Sequence, residues 1–133
     1  MTDRVLIRLD WPPRALWPNV KDKAHWRDTA KAKKAAKNSA FWQMQGQRHA
    51  IRDCEHRHLT LTFYPPTNRK FDLDNAFAAM KAQLDAVRDL WGVDDCEWTF
   101  TLERGEKTKG GCVLIEIGPR IMDTVVPYRG KVS

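Results

Sequence analysis

Seven residues, His58-Leu-Thr-Leu-Thr-Phe-Tyr64, alternate strictly between two faces. Strand side chains point to opposite faces with a period of two. Leu59, Leu61 and Phe63 therefore share one side, and Thr60, Thr62 and Tyr64 the other. That pattern is a half-buried strand. Pro65-Pro66 stops it, since proline lacks the N–H that a ladder needs.

The remaining chain supplies partners for this strand. Arg4-Val-Leu-Ile-Arg-Leu9 reads as a first strand closed by Trp11-Pro12-Pro13. Residues 96–104 alternate, with Cys96, Trp98, Phe100 and Leu102 on one side. Cys112-Val-Leu-Ile-Glu-Ile117 is the last strand, and the glycine-rich loop 105–111 before it suits a hairpin. Residues 24–52 contain no proline and predict a long helix, on which Trp26, Ala36, Ala40, Met44 and Ile51 fall within about 80°. Gly46 would allow a break into two. Phe77, Met80, Leu84, Val87 and Trp91 form the buried stripe of a second helix over 74–91, which Gly92 ends. The order βαβαββ predicts an α/β (α+β) fold, with a mixed sheet of about four strands packed with two main helices. A length of 133 residues fits one domain, expected over 1–118, with a loose tail over 119–133.

Several classes are disfavoured. No window approaches the ~18 apolar residues of a membrane span. Met-Thr-Asp-Arg4 lacks a secretory apolar stretch, so the expected location is the cytoplasm. Three cysteines without a C-x-x-C argue against a disulfide scaffold or a zinc ribbon. The run Cys54, His56, His58 fits no common closed zinc site.

Charge is unevenly spread. The net is +6, from 23 Lys+Arg against 17 Asp+Glu. Residues 21–57 carry ten cations and four acids, whereas 72–103 carry eight acids and two cations. Basic surface attracts polyanions through counterion release. The acidic block needs another purpose, such as holding a cation.

Its centre is Arg69-Lys-Phe-Asp-Leu-Asp-Asn75. In an extended segment Asp72 and Asp74 would stand side by side, and their repulsion calls for a compensating cation. Mg²⁺ prefers such carboxylate and water oxygens. Asp94-Asp95 follows about 20 residues later, where a returning strand could bring it back beside them. On an uninterrupted helix Asp74, Lys81 and Asp85 lie within about 40°. Each feature has a plainer reading alone: a solvated D-x-D loop, a polar turn, a solvated lysine. Lys31, Lys33, Lys34 and Lys37, with Arg27, fit phosphate contacts or a solvated helix face, and Trp26 and Trp42 interleave with them. Arg69 and Lys70 directly precede the acids and fit contacts to a phosphate backbone, or a solvated turn.

Asp72-Leu-Asp-Asn75, Lys81-Ala-Gln-Leu-Asp85 and Gly92-Val-Asp-Asp95 together resemble the RusA-type Holliday junction resolvases, especially phage or prophage members. The resemblance extends over roughly residues 5–118. Leu9-Asp-Trp-Pro-Pro13, Pro18-Asn19 with His25-Trp26-Arg27, and Thr108-Lys-Gly-Gly111 resemble other parts of that family. It implies a homodimeric endonuclease dependent on Mg²⁺, with Mn²⁺ as a substitute. Asp72, Asp74 and Asp95 would be the catalytic metal ligands, and Asp94 an accessory acid. The family prototype has a catalytic lysine three residues after the Asn; here Ala78 stands there and Lys81 comes one turn later. The expected activity is resolution of four-way DNA junctions by paired nicks. The alternatives are a non-catalytic junction-binding recombination accessory protein and a metal-dependent enzyme acting on other phosphate substrates.

Overall fold

The computed structural model describes residues 4–19 and 26–120, with only the backbone of Trp26 and Arg27. The expected DNA contact at Arg27 and most of the tail over 119–133 lie outside what is described. The strands are β1 (Val5–Asp10), β2 (His58–Tyr64), β3 (Thr99–Arg104) and β4 (Cys112–Gly118). The α-helices are α1 (Trp26–Gln43), α2 (Arg48–Asp53), α3 (Leu73–Ala79) and α4 (Lys81–Trp91). The fold is mixed α/β with one four-stranded mixed sheet, as the sequence order predicts.

The sheet order is β1-β4-β2-β3. β4 runs antiparallel to both β1 and β2, while β2 and β3 are parallel. The expected hairpin between β3 and β4 is therefore incorrect. β3 ends beside the end of β2, and the loop 105–111 crosses that end to reach the far side of β2.

The crossing is tight. The Gly105 N–H donates to the Phe63 carbonyl and the Thr108 N–H to the Pro65 carbonyl, each at 2.8 Å. A Cβ on Gly105 would overlap the Tyr64 ring. Gly111 has φ +69°, and a Cβ there would sit 2.8 Å from Pro66 Cδ. Both the left-handed backbone and the contact exclude a larger residue.

The register aligns the apolar positions. Ile7, Ile115, Leu61 and Leu102 form one row, and Val5, Ile117, Leu59 and Phe100 another. Ala40 of α1, Met44 just beyond its end, Ile51 of α2 and Leu84, Val87 and Leu90 of α4 belong to the same core. The β2 alternation holds: Leu59, Leu61 and Phe63 are fully buried, and Thr60, Thr62 and Tyr64 are partly exposed. His58, on the polar side, ties β3 to β2 through Thr99 Oγ1 (2.6 Å) and Thr101 Oγ1 (2.8 Å).

Both expected helices are interrupted. The first breaks around Gly46, in a 3₁₀ turn at Gln45–Gln47. The second is not continuous over 74–91: it breaks at Met80, with φ −86° and ψ 0°. The Met80 N–H turns to the Phe77 carbonyl at 3.0 Å, a three-residue bond in place of the four-residue one. Met80 is fully buried, so the break leaves the apolar stripe intact. Gly92 ends α4 at φ +83°, as expected. Cys96 is not part of a strand face. It lies exposed in a 3₁₀ turn, and β3 starts only at Thr99.

Two glycine replacements should separate these effects. Gly111→Ala is expected to lower the urea midpoint, with a loss of about 1–3 kcal/mol. Gly46→Ala has no atom within 4 Å of its new Cβ and no positive φ. It should be neutral or stabilise by up to about 1 kcal/mol. A Gly111→Ala protein as stable as the parent would contradict the crossing geometry.

Candidate active site

α3 begins where the Arg69–Asp72 segment ends. Asp72 is its N-cap, extended at φ −92° and ψ 136°, and Asp74 already lies in the first turn. The two carboxylates therefore do not share one side of an extended segment, since residues two apart on a helix do not face each other. Asn75, three residues on, does meet Asp72: its Nδ2 donates to Asp72 Oδ2 at 3.3 Å. The break at Met80 likewise separates Asp74 from Lys81 and Asp85, so the expected single acidic edge of one helix is corrected.

A second arrangement replaces it. Lys81, Asp85 and Asp95 line one pocket of about 250 Å³, with Ala78 and Trp98 also in its wall. Asp74 is four residues before Ala78, on the same side of α3 and about one turn away. Arg88, not singled out from the sequence, joins the acids: its Nη1 is 3.6 Å from both Asp85 and Asp95. Lys81 Nζ is 3.8 Å from Asp85. The spacing of Asp85 and Arg88 on one helix made that contact legible; its extension to Asp95 depends on the chain's return. The Trp98 indole N–H is buried and has no partner among the described residues.

Asp94 and Asp95 form a polar turn. Asp94 Oδ1 accepts the Cys96 N–H at 3.1 Å. That bond holds the Asp94 carboxyl below its ordinary range. The same negative charge pushes the Cys96 thiol up, away from a reactive thiolate.

Among the described residues, no three His, Cys, Asp or Glu side chains stand together as a metal cage. Mg²⁺ is usually held by one or two carboxylates, substrate phosphates and water, so it does not require such a cage. Asp72 and Asp74 at the start of α3, and Asp95 at the pocket, are exposed hard donors of that kind. The residues fit the ion chemically, in separate groups.

The basic arm divides into two uses. Lys31, Lys33 and Lys34 are exposed on α1 and form no ion pair among the described residues. Lys37 instead bridges to Asp89 of α4 at 2.8 Å. Arg52 donates to the Leu90 carbonyl, and Arg57 stacks over Trp91. Arg69 and Lys70 are exposed just before Asp72. Trp42 of α1 is 70% exposed.

An uncharacterized protein of Xylella fastidiosa (strain Temecula1 / ATCC 700964) is 33% identical over 115 residues. The match spans 84% of this chain and 74% of that protein. The chain belongs to that protein's family. No family model matches the chain. Membership extends over most of the domain described above. Among the described residues, no helix is long and apolar enough to cross a membrane.

The Lys37–Asp89 pair gives a test of the electrostatics. The hydrogen bond from Lys37 holds the Asp89 carboxyl below its ordinary range. A depressed folded pKa stabilises the protein above the unfolded value of about 3.9, and the gain is lost as pH falls through the folded value. Lys37→Met should therefore lower stability at pH 7 by up to about 1 kcal/mol, modest because both side chains are partly exposed. Urea midpoints of parent and variant should converge as pH falls below that depressed folded value. A gap that stays the same size from pH 7 down through the acid range would exclude this account.

Proposed function

We propose that the chain is a Mg²⁺-dependent endodeoxyribonuclease acting on branched DNA, with four-way junctions as its substrate class. One observation carries the reading. Lys81 and Asp95, far apart in the sequence, line the same pocket as Ala78, the position where the RusA-type resemblance calls for a lysine. A lysine at the start of α4 thus borders the space that the family's lysine would serve.

Asp72, Asp74 and Asp95 are the residues that would hold Mg²⁺, with Asp94 accessory to them. A bound ion supplies water activation and charge neutralisation at the phosphodiester. The chain's own groups do the rest. Lys81 offers positive charge to phosphate oxygens as negative charge builds in the transition state. Arg69 and Lys70 orient the strand that leads to Asp72, and Lys31, Lys33 and Lys34 hold a neighbouring arm through its phosphates. On this reading the protein acts in the cytoplasm as a homodimer, giving two equivalent sites to a two-fold symmetric junction.

Two features favour a second reading, a junction-binding accessory protein without cleavage. Ala78 stands at the lysine position, and Arg88 already neutralises Asp95. One assay separates the two. With Mg²⁺, the parent should nick a synthetic four-way junction in paired positions. Asp72→Asn, Asp74→Asn and Asp95→Asn should each lose about 100-fold or more in rate while junction binding survives. Full activity in these variants would refute the site. Binding without any divalent-dependent product would favour the accessory protein.

A further inference from the structure

A cleft of about 660 Å³ lies beside this site rather than in it. Trp11, Trp17 and Phe71 supply its aromatic wall, and Arg14, Arg69 and Lys70 its charge. We infer that this cleft holds one unpaired nucleotide of a DNA strand, with the base against the aromatic rings and its phosphates on the three cations. The inference deepens the nuclease reading by naming what that site's flank recognises, and it rests on that reading.

The aromatic wall is fixed in advance. Trp11 and Trp17 lie 5.7 Å apart between centroids, tilted by 32°. Phe71 meets both edge-on, at 5.4 and 6.2 Å. The Trp17 indole N–H is spent on the Pro12 carbonyl at 3.2 Å, so its ring is oriented without a ligand. Trp11 is backed by the buried Phe63 at 6.1 Å. Arg104 holds Phe71 from outside the cleft lining, donating to its carbonyl at 2.6 Å and covering its ring at 4.8 Å. All three rings are only partly buried, so they keep surface for a guest. A wall held this way binds a flat π-system with little loss of side-chain freedom.

The charge selects the guest. Arg14, Arg69 and Lys70 are exposed, and among the described residues none is in an ion pair and no carboxylate lines the cleft. A proline-rich peptide would use the rings but leave three cations without partners. A nucleotide uses both, since bases stack on aromatic side chains while phosphates take the cations. The volume lies within the ~300–1,000 Å³ of small-ligand sites, enough for a base rather than a duplex. Phe71 directly precedes Asp72, so a base held here would keep its strand next to the proposed reacting phosphate.

Tryptophan fluorescence in EDTA gives the test, using the full chain without divalent ions. The probes are an eight-residue oligothymidylate, the same backbone with every base removed, a blunt duplex of equal phosphate number, and a polyproline peptide. The base-bearing strand should quench emission and bind about tenfold tighter than the abasic one, an effect at the scale of base stacking. Trp17→Ala should abolish that preference, and Trp17→Phe should retain part of it, with circular dichroism unchanged in both. Equal binding of base-bearing and abasic strands overturns the inference. So does a duplex bound as tightly as the single strand, a preference that survives Trp17→Ala, or a response to polyproline alone. Because no metal is present, loss of cleavage in the junction assay would leave a base preference standing. Cleavage without any base preference would overturn this inference alone.

Discussion

β4 is the last strand in the chain and the second in the sheet, and the rest of the architecture follows from that insertion. Its inward residues Val113, Ile115 and Ile117 complete rows that β1 and β2 only begin. To place it there the chain must cross the end of β2, over Tyr64 and Pro66, on glycines that permit the approach. That crossing brings Trp11, Phe63 and Pro66 to one end of the sheet. β3 finishes at the same end, where Arg104 reaches the Phe71 carbonyl. α3 starts one residue beyond Asp72. The aromatic cleft and the first aspartates are neighbours because the topology makes that end of the sheet a crossroads.

The acidic block is partly neutralised from within. Arg88 serves Asp85 and Asp95, Lys81 serves Asp85, and Lys37 reaches across from α1 to Asp89. These pairs are partly exposed, so each contributes little to stability. Their effect is on arrangement: they hold the return turn at Asp95 against α4 and fix α1 beside it. Three of the eight acids, Asp85, Asp89 and Asp95, thus have internal cation partners.

Local patterns in the sequence were good guides to elements and poor guides to partners. The β2 alternation, the β1 run and the Gly92 stop depend on neighbours in sequence, and all three match the structure. The hairpin expectation failed because a glycine-rich loop says where the chain turns, not which strand it turns toward. The Met80 break was hidden because the apolar stripe runs through it and Met80 stays buried. Cys96 kept the alternation of residues 96–104 but fell in a turn capped by Asp94, which competes for its N–H. At the site, Asp85 and Arg88 could be paired from helical spacing. The convergence of Lys81 and Asp95 on one pocket required the fold, as did the meeting of Trp11, Trp17 and Phe71.

The sheet's two margins are β1 and β3, and neither is a flat apolar ribbon. Arg8 and Asp10 stand out from β1, and Glu103 and Arg104 from the end of β3, all exposed. Margins of this kind resist the addition of a foreign strand, because pairing would bury charge beside the new backbone. The molecule is therefore guarded against the edge-to-edge stacking that leads to fibrils. Edge-to-edge pairing of two copies is thereby disfavoured relative to contacts through faces or helices.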